Sequence, residues 1–168
     1  MKANKFLLYT IAIASFSMVK AQNLNNLSLD EFYYEICFDE FCLFDIISAH
    51  GNSGNIQSLF NFSVTKSRDD EDYEKSITYV AEGYTFIFES PSTAKTDMDY
   101  YIAYIYVEGD STVKIKNIEI GIGDNISKLG NVKILEPGFI TFINSDTDAS
   151  LDIFYSDNII TEIKFVFY

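Results

Sequence analysis

Apolar positions in this chain recur mostly at every second residue, in short runs broken by polar turns. Residues 60–65 alternate strictly, with Phe60, Phe62 and Val64 on one face and Asn61, Ser63 and Thr65 on the other, which predicts a half-buried strand. Residues 76–81 and 84–89 are β-rich and split by Glu82-Gly83, a hairpin signal. The charged stretch 68–75 and the polar stretch 91–99 read as loops. Residues 100–108 are apolar on both faces. Tyr100, Ile102, Tyr104 and Tyr106 line one, and Tyr101, Ala103, Ile105 and Val107 line the other. A strand of that kind lies centrally in a sheet or exposes its tyrosines at a binding surface. Further strands are predicted at 113–122, 139–143, 151–155 and 159–167, the last with Ile159, Thr161, Ile163, Phe165 and Phe167 on one face. Ser156-Asp157-Asn158 links the final two as a tight turn.

Two short helices interrupt this pattern. Each opens on an aspartate suited to capping, Asp45 or Asp124, and closes on a glycine suited to the left-handed conformation, Gly51 or Gly130. Set in register, Asp45, Ile47, Ser48 and Gly51 match Asp124, Ile126, Ser127 and Gly130. Gly83-Tyr-Thr-Phe-Ile-Phe88 likewise resembles Gly138-Phe-Ile-Thr-Phe-Ile143. The expected fold class is therefore α+β and β-rich: two tandem units, 22–110 and 111–168, each a short helix on a mostly antiparallel sheet, packed as one compact body. At 28–38 two signals compete. Ser28-Leu-Asp-Glu31 has capping-box spacing, whereas the aromatic run 32–38 favours a strand. The match of that run to 113–120 decides for the strand.

The first residues read as an export signal. Lys2 and Lys5 precede an apolar stretch at 6–19, and Val19-Lys20-Ala21 offers a cleavage site before Gln22. That stretch falls short of the ~20 residues of a membrane span, and no later one qualifies. Neither cysteine lies where a lipid anchor would attach, so the expected product is periplasmic or extracellular. The formal net charge is −13, and loss of the signal removes lysines but no acid. Such a field disfavours nucleic acid and anionic membranes and favours a basic protein partner, bound cations or plain solubility. In an oxidising compartment, Cys37 and Cys42, separated by Phe-Asp-Glu-Phe, are expected to bridge facing positions of a tight hairpin. The spacing is not Cys-x-x-Cys, which argues against a thiol oxidoreductase.

Catalytic signals are sparse. His50 is the sole histidine, and its place before Gly51 marks a structural position. Gly121-Ile-Gly123 lacks the third glycine and the βαβ order of a dinucleotide site. Asn144, Asp146 and Asp148 begin like a calcium loop, but Ala149 stands where the sixth position needs glycine and Tyr155 where the twelfth needs glutamate. No metal or cofactor is expected, and paired carboxylates of a glycosidase type have no groove signal behind them.

Two tandem short-helix units after a secretion signal, with Ile122-Gly-Asp-Asn-Ile-Ser-Lys-Leu-Gly130 as the motif, resemble the β-lactamase inhibitor protein and the small outer-membrane assembly lipoproteins. The reading departs from both in expecting one helix per unit, one cysteine pair and no anchoring cysteine. A looser similarity links it to acidic immunity factors of the envelope. The aromatics of 100–106 and the acidic loops, as anchors and steering charge, point to a non-enzymatic, exported protein-binding module of inhibitor or immunity type, with Tyr100, Tyr104 and Tyr106 as candidate anchors for a basic partner. A structural or assembly role in the cell envelope is the alternative. N-terminal sequencing of the protein from its natural host should start at Gln22; a retained Met1 would refute the export reading.

Overall fold

The computed structural model describes residues 24, 27–60, 64–70, 74–91, 93–144, 146 and 148–167. The predicted export signal and the centre of the 60–65 alternation lie outside them. Helix α1 (Leu29–Glu35) leads into the hairpin β1 (Ile36–Phe38) and β2 (Phe41–Cys42), then α2 (Leu43–Ala49) and α3 (Ser53–Ser58). A meander follows: β3 (Thr65–Asp70), β4 (Glu74–Ala81), β5 (Tyr84–Pro91) and β6 (Tyr101–Val107). The second hairpin is β7 (Thr112–Ile115) and β8 (Ile118–Gly121), followed by a 3-10 turn at Ile126–Leu129 and the meander β9 (Phe139–Asn144), β10 (Ala149–Ser156) and β11 (Ile159–Phe167). All strand pairs are antiparallel, in a four-stranded sheet β2-β1-β7-β8 and a seven-stranded sheet β3-β4-β5-β6-β11-β10-β9. The β-rich α+β class is thus realised. Each sheet is joined at its middle by one strand from either side of residue 110, β1 with β7 and β6 with β11.

The two sheets bury an aromatic seam. Phe38 and Phe41 meet Tyr84 at 6.0 and 5.9 Å, and Phe41 also meets Phe60 at 4.8 Å and Phe86 at 6.1 Å. The buried Tyr84 hydroxyl donates to the Thr112 carbonyl at 2.8 Å, so a phenol enters the core without an orphaned polar atom. Burial pushes that phenol well above its ordinary pKa. The Cys37–Cys42 disulfide closes the first hairpin, its residues facing each other across β1 and β2. Their Cα atoms stand 3.8 Å apart, closer than the facing-strand distance expected.

Several sequence expectations are corrected. The competition at 28–38 goes to the helix through residue 35, and the strand keeps only Ile36–Phe38. Ser28 Oγ accepts the Glu31 N–H at 3.2 Å, and Glu31 accepts the Ser28 N–H at 2.8 Å, a complete capping box. Tertiary packing completes the choice: Phe32 is fully buried, 5.9 Å from Phe165, and Lys116 donates to Glu31 at 2.5 Å. The single strand expected at 113–122 is a hairpin, turned at Lys116 with φ 59°. The charged stretch 68–75 contributes to two paired strands, β3 and β4. The basic side chains of β3 find partners over the sheet rim, since Lys66 and Arg68 both pair with Asp97 and stand over the Tyr79 and Tyr100 rings, respectively.

The predicted caps act one step away from their expected roles. Asp45 sits in the first turn of α2 and accepts the Cys42 N–H at 2.8 Å, while Asp124 accepts the Gly121 N–H at 2.9 Å. Both carboxylates therefore reach back three residues, and the 3-10 turn is capped by Asn125. His50 is the left-handed residue ending α2, and Gly51 follows at φ 69°. Gly130 also has positive φ, but its ψ of −132° lies outside the left-handed helical region. Gly51 is needed for space as well, because a Cβ there would lie 2.9 Å from the Tyr100 Cβ.

Two outcomes follow. Gly51→Ala should lower stability by ~1–3 kcal/mol in denaturant titration. Gly109→Ala, at φ 61° with open space around it, tests the conformational share alone. Second, the Lys116 and Ser28 hydrogen bonds hold Glu31 down from 4.5 to about 2. A depressed carboxylate contributes stability that is complete above its ordinary pKa and is lost as pH falls toward the folded value. Thermal melts between pH 5 and 2, a window roughly set by these values, should therefore show a shallower decline for Glu31→Gln. The decline persists in part, since Asp97, Asp99 and Asp124 are also held low by their hydrogen bonds.

Candidate functional site

The inner face of the large sheet is consumed by the core, so any broad binding surface made by this sheet lies on its outer face. Strand geometry decides what stands there. Between Ile87 and Phe88 the register of β5 against β6 shifts, with Ala103 as the extra residue on β6. Strict alternation fails at this bulge. Tyr100 and Ile102 join the core with Ile105 and Val107, while Tyr104 and Tyr106 face outward. The three candidate tyrosines are thus separated: Tyr100 is 3% exposed, against the half-buried pair Tyr104 and Tyr106. Those two rings stack at 6.2 Å with an interplanar angle of 22°. The sequence offered no sign of the bulge, because Ala103 is acceptable on either face.

Cross-strand register extends this face toward β9. Tyr106 is opposite Lys164 on β11, Lys164 opposite Asp152 on β10, and Asp152 opposite Thr141 on β9. In the adjacent row Tyr104, Val166, Ser150 and Ile143 stand side by side. At the β9–β10 end the surface sinks into a recess of about 390 Å³ lined by Phe139, Thr141, Ile143, Ala149, Ser150 and the acids Asp148 and Asp152. Asp152 is only 7% exposed. Thr141 Oγ1 donates to it at 2.8 Å, and no lysine or arginine among the described residues is in ion-pair contact with it. Its neighbour Lys164 is turned away, 4.9 Å from the Phe154 ring centre and 3.9 Å from Glu162.

The edges of the large sheet differ in character. On β3 the inward-reaching Lys66 and Arg68, locked to Asp97, obstruct pairing with another strand. On β9, Phe139-Ile-Thr-Phe-Ile-Asn144 carries no charge, and Ile143 is 58% exposed. No described strand pairs along its outer edge, where Glu136 makes one isolated bridge, to Phe139.

Other candidates resolve into structural roles. Asn144 is buried, and its side chain accepts the Asp146 N–H at 2.9 Å, so it shapes the β9–β10 turn. No group of three or more metal-ligating acids, histidines or cysteines is assembled among the described residues. His50 lies edge-on to Tyr101 at 5.3 Å, and its Nδ1 is buried without a hydrogen bond among the described residues. The recess itself went unseen in the sequence, since Asp152 sits in a strand that otherwise reads as plain core. Comparison of the chain with family models, with curated proteins and with solved structures finds no match.

Proposed function

We propose that this chain is an exported, non-enzymatic protein-binding module that holds a basic partner against the outer face of its large sheet. One observation carries the reading: a half-buried tyrosine pair and an acidic recess share one face, at the end of a sheet with an uncharged free edge. Tyrosines supply rigid contact area, and the net charge of −13 speeds the encounter with a cationic surface. Export is supported by the Cys37–Cys42 disulfide, which an oxidising compartment maintains. No described helix is long and apolar enough to cross a membrane.

The reading of two tandem units draws support from three features. The order hairpin, short helical segment, meander occurs twice. Strand order is mirrored about β1–β7 and, except for the extra β3, about β6–β11. Asp45 and Asp124 make the same backward hydrogen bond. On this reading the binding face spans both units.

The test begins with a partner isolated from the envelope fraction or medium by affinity capture, followed by binding kinetics. Tyr104→Ala and Tyr106→Ala should each weaken binding by ~2 kcal/mol or more, as anchor truncations do, with the unfolding midpoint little changed. Added salt should slow association more than it hastens release. Binding indifferent to both substitutions and to salt overturns the proposal.

A further inference from the structure

We propose that the recess beside β9 receives a lysine or arginine side chain from an extended segment of the partner, which adds to the β9 edge as an eighth strand. The inference rests on the protein-binding reading above and specifies how that face is occupied. Asp152 is the group that selects the ligand. Its carboxylate is held in place by the Thr141 hydroxyl, is nearly buried, and lacks a cation among the described residues. A carboxylate removed from water in this way gains most from a cation that arrives with hydrogen-bond donors. Lys164, the strand neighbour able to provide one, is held instead over Phe154 and toward Glu162.

The walls specify the rest of the ligand. Phe139 and Ile143 give the recess apolar sides, while Asp152, Asp148, Thr141 and Ser150 give it acceptors. Apolar sides with acidic acceptors match the long alkyl stem and charged head of a basic side chain. A free anion is excluded by the two carboxylates, and a purely apolar group would leave Asp152 buried without compensation.

Access comes from the edge. A strand added to β9 would lie roughly 4.8 Å beyond it, and β10 lies the same distance on the other side. The side chain of such a strand and the short Asp152 side chain together close that gap. Alternate residues of the added strand share the outer face with Phe139, Thr141 and Ile143. One face of the partner segment therefore delivers the basic residue, while its backbone pairs with the β9 edge beyond Phe139, whose N–H already bonds the Glu136 carbonyl. The opposite edge is obstructed by Lys66 and Arg68 on Asp97, which directs addition to β9.

The experiment uses the full mature chain and a synthetic extended peptide alternating lysine with threonine and valine, followed by fluorescence anisotropy. The wild-type chain should bind it. Affinity should fall at least tenfold for Asp152→Asn, which retains an acceptor for Thr141, and for a peptide with norleucine in place of lysine. Ile143→Lys, at an exposed position where folding is undisturbed, should weaken binding similarly by placing a cation at the mouth. N-methylation along the peptide edge that faces β9 should abolish binding. Absence of binding to the wild-type chain, or equal binding by Asp152→Asn and Ile143→Lys, overturns the proposal. Equal binding of the N-methylated peptide overturns strand addition. A captured natural partner that is sensitive to Tyr104→Ala but indifferent to Asp152→Asn removes the recess and leaves the broader reading standing. Indifference to both removes that reading as well.

Discussion

The structure depends above all on the pairing of β6 with β11. Without it, each meander is a small sheet with an open apolar edge. With it, the strands on either side of residue 110 share a continuous surface, and Ile105 and Phe165 meet as facing residues at its centre. The same pairing sets the inner face that Phe32, Phe38 and Phe41 cover. It also sets the outer face, since Tyr106, Lys164 and Asp152 are neighbours only because β6, β11 and β10 are consecutive in space. The smaller sheet repeats the device through β1 and β7, so both layers are tied across the same seam.

Electrostatics then distinguish surfaces that the backbone leaves alike. Lys66, Arg68 and Asp97 form a compact cluster at one rim, where Asp97 is held ionised mainly by its Lys66 hydrogen bond. Glu31 and Lys116 do the equivalent between α1 and the second hairpin. The basic groups in these clusters are committed to intramolecular partners, which leaves much of the acid surplus uncompensated at the surface. Asp152 is the instance where that surplus coincides with burial and an apolar wall.

Local signals were legible in the sequence where one rule acted alone. The Cys37–Cys42 hairpin, the turn at Glu82-Gly83 and the final hairpin at Asp157-Asn158 follow directly from spacing and turn chemistry. Legibility failed where two rules competed. At 28–35 the capping box prevailed over β propensity because Phe32 has a buried site waiting on β11, a fact of tertiary structure. The period-two reading failed at two bulges, one opposite Ile87 and Phe88 and the other opposite Phe154 and Tyr155. The first removes Tyr100 from the face of Tyr104 and Tyr106. The second places Ile160 rather than Ile159 in the core. Charge alone misled at Arg68, whose partner Asp97 lies far along the chain. The recess depends on cross-strand neighbours, which no local pattern encodes.

The placement of β6 has a consequence for the order in which the chain acquires its shape. Synthesised from its N-terminal end, the chain presents β3 to β6 well before β11. During that interval β6 is a provisional rim, with Tyr104 to Val107 unpaired on the side that β11 will occupy. Such a rim is a template for a neighbouring molecule until its own partner arrives, because long-range pairing is the slow step in sheets of this kind. The first hairpin, closed locally by its disulfide, and α1–α2 are available during that time to shield the inner face. Solubility of the unfinished chain is therefore governed by how long one central strand waits, a vulnerability absent from the completed molecule.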